Sequence, residues 1–88
     1  MTVARALTVK RTVVPKSGRG DYVARMRERE AYYKQAGCRF WVYEEAGLPG
    51  AFIEFTEGPS PDALAAAHAE APEPPLDAHR IYTEVQLS

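Results

Sequence analysis

The sequence predicts an α+β domain whose elements run β-α-β-β-α-β. Residues 39–56, RFWVYEEAGLPGAFIEFT, hold two strand-like runs folded about a Gly-Leu-Pro-Gly turn. Helix-forming stretches flank that hairpin on both sides, and alternating β-branched runs lie near the two ends of the chain.

The first strand spans Ala6–Val14, ALTVKRTVV, and Pro15 stops it because proline has no N–H to give a ladder. A Lys-Ser-Gly-Arg-Gly loop leads into a helix over Asp21–Ala36, rich in Arg, Glu, Met and Ala. Gly37 is placed to end that helix in the left-handed conformation. Strands follow at Arg39–Glu44 and Ala51–Thr56. Ser60-Pro61-Asp62 then reads as a helix start, with Ser as cap, Pro in the first helical position and Asp favoured by the helix dipole. The second helix covers Pro61–Glu70 and ends at the APEPP segment. The last strand covers Arg80–Gln86, where Ile81, Thr83 and Val85 alternate with Arg80, Tyr82 and Glu84. Two right-handed split βαβ units in this order build a four-stranded antiparallel sheet, order 4-1-3-2, with both helices on one face. That arrangement is the ferredoxin-like plait.

The hairpin strands carry large side chains on both faces. Phe40 and Val42 point one way, Trp41 and Tyr43 the other, and Phe52 opposes Ile53 and Phe55. Eighty-eight residues make one domain, residues 1–88, with a modest core. Two helices cover only one side of the sheet, so the other side is expected to pair with a second copy of the chain.

Composition narrows the function. With 45% hydrophobic and 26% charged residues, the chain reads as a soluble globular domain. No apolar run approaches the roughly 20 residues that span a bilayer. The N-terminal MTVARALTVKR lacks a secretory signal pattern, so a cytoplasmic location and no membrane partner are expected. The lone Cys38 excludes an intrachain disulfide and is expected to be a small buried hydrophobe. Residues 1–39 hold ten Lys/Arg and three acids, a balance of +7, whereas residues 40–88 hold one Arg and nine acids, a balance of −8. Pairing of the basic part with the acidic part is the expected use of this asymmetry. A nucleic-acid partner is not expected, because no basic run is long or aromatic-interleaved, and Glu44, Glu45, Glu54 and Glu57 would repel phosphates.

Helical spacing places Val23, Met26, Glu30, Tyr33 and Gly37 on the inner stripe of the first helix, and Leu64, Ala67, His68 and Ala71 on that of the second. Glu30 and His68 are the polar members. Together they make a candidate acid/base pair: His68 as general base or donor to an oxyanion, Glu30 orienting it. Met26, Tyr33 and Leu64 are the candidate apolar wall of a small pocket, with Trp41 a further candidate for substrate contact. The competing reading makes Glu30 a residue at the helix edge and His68 a satisfied core histidine. His79 borders the last strand in a proline-rich loop, and two histidines without matching spacing give no metal site.

The segment Ala51–Pro72, AFIEFTEGPSPDALAAAHAEAP, resembles the antibiotic-biosynthesis-monooxygenase-like group of the dimeric α+β barrel superfamily. The likeness rests on an aromatic strand carrying Glu54, a short turn and an Ala-rich helix with the pair Ala67-His68. It implies ferredoxin-like protomers paired sheet to sheet as a homodimer, with a cleft between sheet and helices for a small organic, even aromatic, molecule. Some members of the group oxidise such molecules without metal or flavin, so no cofactor is implied. His68 matches the helix-two histidine that some members use. The chain has no asparagine, and Trp41 stands on a strand rather than ahead of the second helix, which argues against haem degradation. The alternative to an enzyme or binder is a non-enzymatic module whose specific surface is the dimer face.

Overall fold

Residues 5–73 and 80–87 are described by the structure, a computed structural model, and within them the elements follow the expected order. Strand β1 spans Ala6–Val13, helix α1 Arg19–Gln35, strand β2 Arg39–Glu44, strand β3 Ala51–Gly58, helix α2 Pro61–Ala69 and strand β4 Tyr82–Thr83. A single 3-10 turn, Lys16–Gly18, brings the chain into α1, which therefore starts two residues before the expected Asp21. The four strands form one antiparallel sheet in the order β2-β3-β1-β4, which from the β4 edge runs 4-1-3-2. This α+β arrangement is compatible with the ferredoxin-like plait.

The local signals in the sequence have visible physical counterparts. The Ser60 hydroxyl accepts from the Ala63 amide at 3.1 Å, and Pro61 fills the first helical position of α2. Gly37 has φ 81°, and Cys38 N–H donates back to the Tyr33 carbonyl at 2.8 Å, which closes the end of α1. The turn between β2 and β3 is held by Leu48 N–H to the Glu45 carbonyl and Ala51 N–H to the Leu48 carbonyl. The last strand is the exception. Only Tyr82 and Thr83 pair, with Leu7 and Ala6, rather than the whole of Arg80–Gln86.

Cross-strand pairs share a face, so the register sorts the side chains. One face carries Thr8, Lys10 and Thr12 from β1, Phe40 and Val42 from β2, and Phe52, Glu54 and Thr56 from β3. Both helices lie on this face, and the core of Ala6, Tyr33, Cys38, Phe40, Leu64, Ala67 and Ala71 forms there. The other face carries Leu7, Val9, Trp41, Tyr43, Ile53, Phe55 and Tyr82, with Arg11, Arg39 and Glu57 as its charged members. Thus the covered face is the more polar one. On the bare face the Trp41 ring stacks on Phe55 with centroids 5.2 Å apart, Tyr43 meets Phe55 edge-on at 5.8 Å, and the Arg39 guanidinium lies 4.8 Å over Trp41.

Ion pairs join the two halves of the charge asymmetry inside the protomer. Arg5–Glu57, Arg11–Glu45, Arg19–Glu44 and Arg25–Glu73 are the pairs among the described residues, and each links a base from the first 39 residues to an acid beyond them.

Candidate functional site

Helix α1 meets the sheet through a stripe different from the expected one. Tyr22, Arg29 and Tyr33 are buried and Met26 is half-buried, a spacing of four, three and four that shares only Met26 and Tyr33 with the predicted line. Glu30 is exposed. The inward charged residue is its neighbour Arg29, 6 % exposed, whose guanidinium lies 5.5 Å over the Tyr33 ring and 5.7 Å over Phe40. Arginine suits that place better than glutamate. Its planar, weakly hydrated cation stacks on aromatic rings while its stem packs.

His68 is buried, 1 % exposed, as the inner stripe of α2 predicts. Its Nε2 is 2.7 Å from Thr8 Oγ1 and its Nδ1 is 2.7 Å from the Tyr33 hydroxyl. Arg29 Nη2 donates to that same hydroxyl at 3.3 Å, so we assign the Tyr33 O–H as donor to Nδ1 and Nε2–H as donor to Thr8. Burial, and secondarily the Arg29 charge, lower the His68 pKa to about 4, so the ring is neutral near pH 7. Burial raises the Tyr33 hydroxyl to about 12. Both ring nitrogens are thus occupied within the core. Glu30 and His68 do not form the expected pair: His68 bonds Thr8 and Tyr33, while Glu30 faces outward from α1. Tyr33 and Leu64, expected on a pocket wall, are core residues at 0 % exposure.

Of the clefts that border α1, two share Tyr22 and Met26. The first, about 320 Å³, runs along the β2 edge and brings together the expected Met26, Trp41 and Glu30 with Phe52, Arg19 and Glu44. Arg19 grips Glu44 there with two bonds of 2.6 and 2.9 Å, and the Gly50 amide donates to the same carboxylate at 3.0 Å. Those bonds lower the Glu44 pKa to about 2.

The second cleft, about 140 Å³, lies between α1 and the middle of β1 and β3. Its floor is Glu54, 4 % exposed, whose Oε2 accepts from the Thr12 hydroxyl at 2.8 Å and the Tyr22 hydroxyl at 2.9 Å. Burial and the adjacent Glu54 charge raise the Tyr22 pKa. Lys10, Arg25 and Arg29 complete the wall. Of the residues around this cleft, the sequence singles out Met26, as a candidate pocket wall, and Glu54, as an acid that would repel phosphates and as part of the family resemblance. The spacing 22, 26, 29, 33 was readable once Tyr22 is preferred to Val23 as the larger buried surface.

Among the described residues no group of three His, Cys, Asp or Glu side chains could hold a metal ion, and no helix is long and apolar enough to cross a membrane. His79 lies outside the described residues. Comparison with protein-family models, curated proteins and solved structures gives no match.

Proposed function

We propose that the chain is a homodimeric small-molecule-binding protein, its two copies paired through the bare sheet face and its ligand held between α1 and the sheet. One observation carries this reading: the polarity of the sheet is inverted. Beside Phe40, Val42 and Phe52 the helix-covered face holds Thr8, Lys10, Thr12, Glu54 and Thr56, while the bare face holds Leu7, Val9, Trp41, Ile53 and Phe55, with Arg11, Arg39 and Glu57 among them. Leaving such an apolar face in water forgoes about 25 cal/mol for each Å² that a partner sheet would bury. Polar groups under a helix, conversely, are tolerated where they are bonded and become useful where they line a cleft. The order of elements supports kinship with the dimeric α+β barrels, in which sheets pair in this way.

Binding rather than turnover is what the geometry supports. A neutral imidazole with both nitrogens engaged has no site left for a substrate proton. The same observation favours a second reading, a non-enzymatic module whose specific surface is the dimer face and whose His68 is a core fastener.

Mixing isotope-labelled and unlabelled chains tests the pairing directly. Filtered NMR spectra are expected to show contacts from Trp41 and Phe55 protons to the unlabelled copy. A saturated protein solution without such contacts contradicts the reading. A thermal shift with small organic molecules separates the binder from the bare module.

A further inference from the structure

In the 140 Å³ cleft the buried Glu54 makes no ion pair with the cations around it. Lys10 stands directly opposite Glu54 in the β1–β3 ladder and on the same face, yet no ion pair within 4.0 Å joins Glu54 to Lys10, Arg25 or Arg29. Arg29 is more than nine-tenths buried, and among the described residues its charge is met only by neutral acceptors: the Pro72 and Glu73 carbonyls at 3.3 and 2.6 Å and the Tyr33 hydroxyl. Its Nε has no hydrogen-bond partner among the described residues. A buried guanidinium held by neutral acceptors is costly, and an unbonded buried N–H adds to that cost. Three cations line the cleft against Glu54 and Glu73, and Glu73 sits at the exposed margin, 3.8 Å from Arg25. By formal charge the cleft holds one cation more than it has carboxylates, with Arg29 and Glu54 its buried charges and Arg25 at the exposed margin beside Glu73.

Glu54 offers a second point of contact. Both of its bonds end on Oε2, and none of the described side chains donates to Oε1. From these placements we infer that the cleft binds a small organic anion bearing a hydroxyl. Its carboxylate lies between Lys10, Arg25 and Arg29, and its hydroxyl donates to Glu54 Oε1. The volume sets the scale: a cavity of about 150 Å³ accepts benzene, so the ligand has roughly six non-hydrogen atoms. This inference rests on the ligand-cleft reading above and specifies the chemical class of its occupant.

Lactate is a probe of that size and chemistry. Lactamide keeps its shape without the charge, and propionate keeps the charge without the hydroxyl. Titrated into the ¹⁵N-labelled full chain, with sodium chloride at matched ionic strength as reference, lactate is expected to give saturable shifts at the Lys10, Thr12, Arg25 and Glu54 amides. A charge-assisted hydrogen bond contributes about 1.5–3 kcal/mol, so lactamide, propionate and the Arg25→Gln variant with lactate should each bind about tenfold or more weakly. Arg25 is exposed, and unchanged amide shifts around His68 certify that its variant stays folded. Lactamide binding as tightly as lactate overturns the inference while leaving a ligand cleft in place. Lactate shifts no different from those with chloride overturn the anion site. No saturable shift with any organic probe overturns both the inference and the ligand-cleft reading beneath it.

Discussion

The Tyr33 hydroxyl lies 2.7 Å from His68 Nδ1, and this contact ties α1 to α2 across the covered face of the sheet. Thr8 on β1 takes the other ring nitrogen, and Arg29 takes the back of the Tyr33 oxygen. Four elements or segments thus converge on one imidazole: β1, α1, α2 and, through the Arg29 bonds to the Pro72 and Glu73 carbonyls, the chain beyond α2. A network of this kind rigidifies a core when every member is bonded.

Acid should weaken the fold through His68. Its folded pKa, about 4, lies below the ordinary 6.5, so the unfolded chain takes up a proton that the folded chain refuses. Its stabilising contribution is full above pH 6.5 and is lost as pH falls toward 4, by about 3 kcal/mol in all. Urea midpoints measured at pH 7, 6 and 5 should fall in the wild type, and fall less steeply in His68→Gln. Equal slopes would remove the assignment.

The Glu44 carboxylate should titrate near pH 2 by NMR. Replacing Arg19 by Gln removes the largest cause and should move the midpoint up toward the ordinary carboxylate value of 4.5. The contribution of this ion pair to stability is present above that ordinary value and fades as pH falls through the folded one. A Glu44 midpoint unaffected by Arg19→Gln would show that the two do not pair in solution.

Removing the Tyr22 hydroxyl should be costly in a way its size does not suggest. Tyr22→Phe keeps the ring stack on Phe52, centroids 4.5 Å apart, but takes a donor from the buried Glu54. A loss of about 1–3 kcal/mol is expected from chemical denaturation. Tyr43→Phe, on the exposed side, should change stability by less than about 0.5 kcal/mol.

Two glycines separate conformational strain from collision. Gly37 and Gly50 both have positive φ, 81° and 94°. A Cβ at Gly37 meets nothing within 4 Å, so Gly37→Ala should cost only the left-handed penalty of about 1–2 kcal/mol. A Cβ at Gly50 would stand 2.6 Å from the Val14 carbonyl oxygen, which accepts no such approach, and the Gly50 carbonyl holds Val14 N–H at 2.8 Å. Gly50→Ala should therefore melt distinctly lower than Gly37→Ala.

Local chemistry was readable where a residue answers to its neighbours in sequence. Ser60-Pro61 and Gly37 mark helix ends because caps involve residues within four positions. The two-faced hairpin was equally plain from Phe40 beside Trp41. The stripe of α1 was not, because Arg29 and Glu30 are both charged and only distant partners choose between them: the Tyr33 and Phe40 rings and carbonyls 43 and 44 residues away. The extent of β4 was missed for a related reason. Residues 80–86 alternate well, but only Tyr82 and Thr83 find partners on β1. Thr8, Thr12 and Thr56 favour strands whichever way they face, so their placement on the covered face, and with it the polar cleft, depends on a register that only the pairing of β1 with β3 sets.

Sedimentation velocity at micromolar concentration, on the wild type and on Phe55→Glu, addresses the sheet-to-sheet pairing most directly. Phe55 packs between Trp41 and Tyr43 at the centre of the bare face. The expected result is a wild type sedimenting at twice the chain mass and a Phe55→Glu variant sedimenting as single chains with unchanged circular dichroism. A wild type that runs as a single chain, or a folded variant that still pairs, would contradict the account.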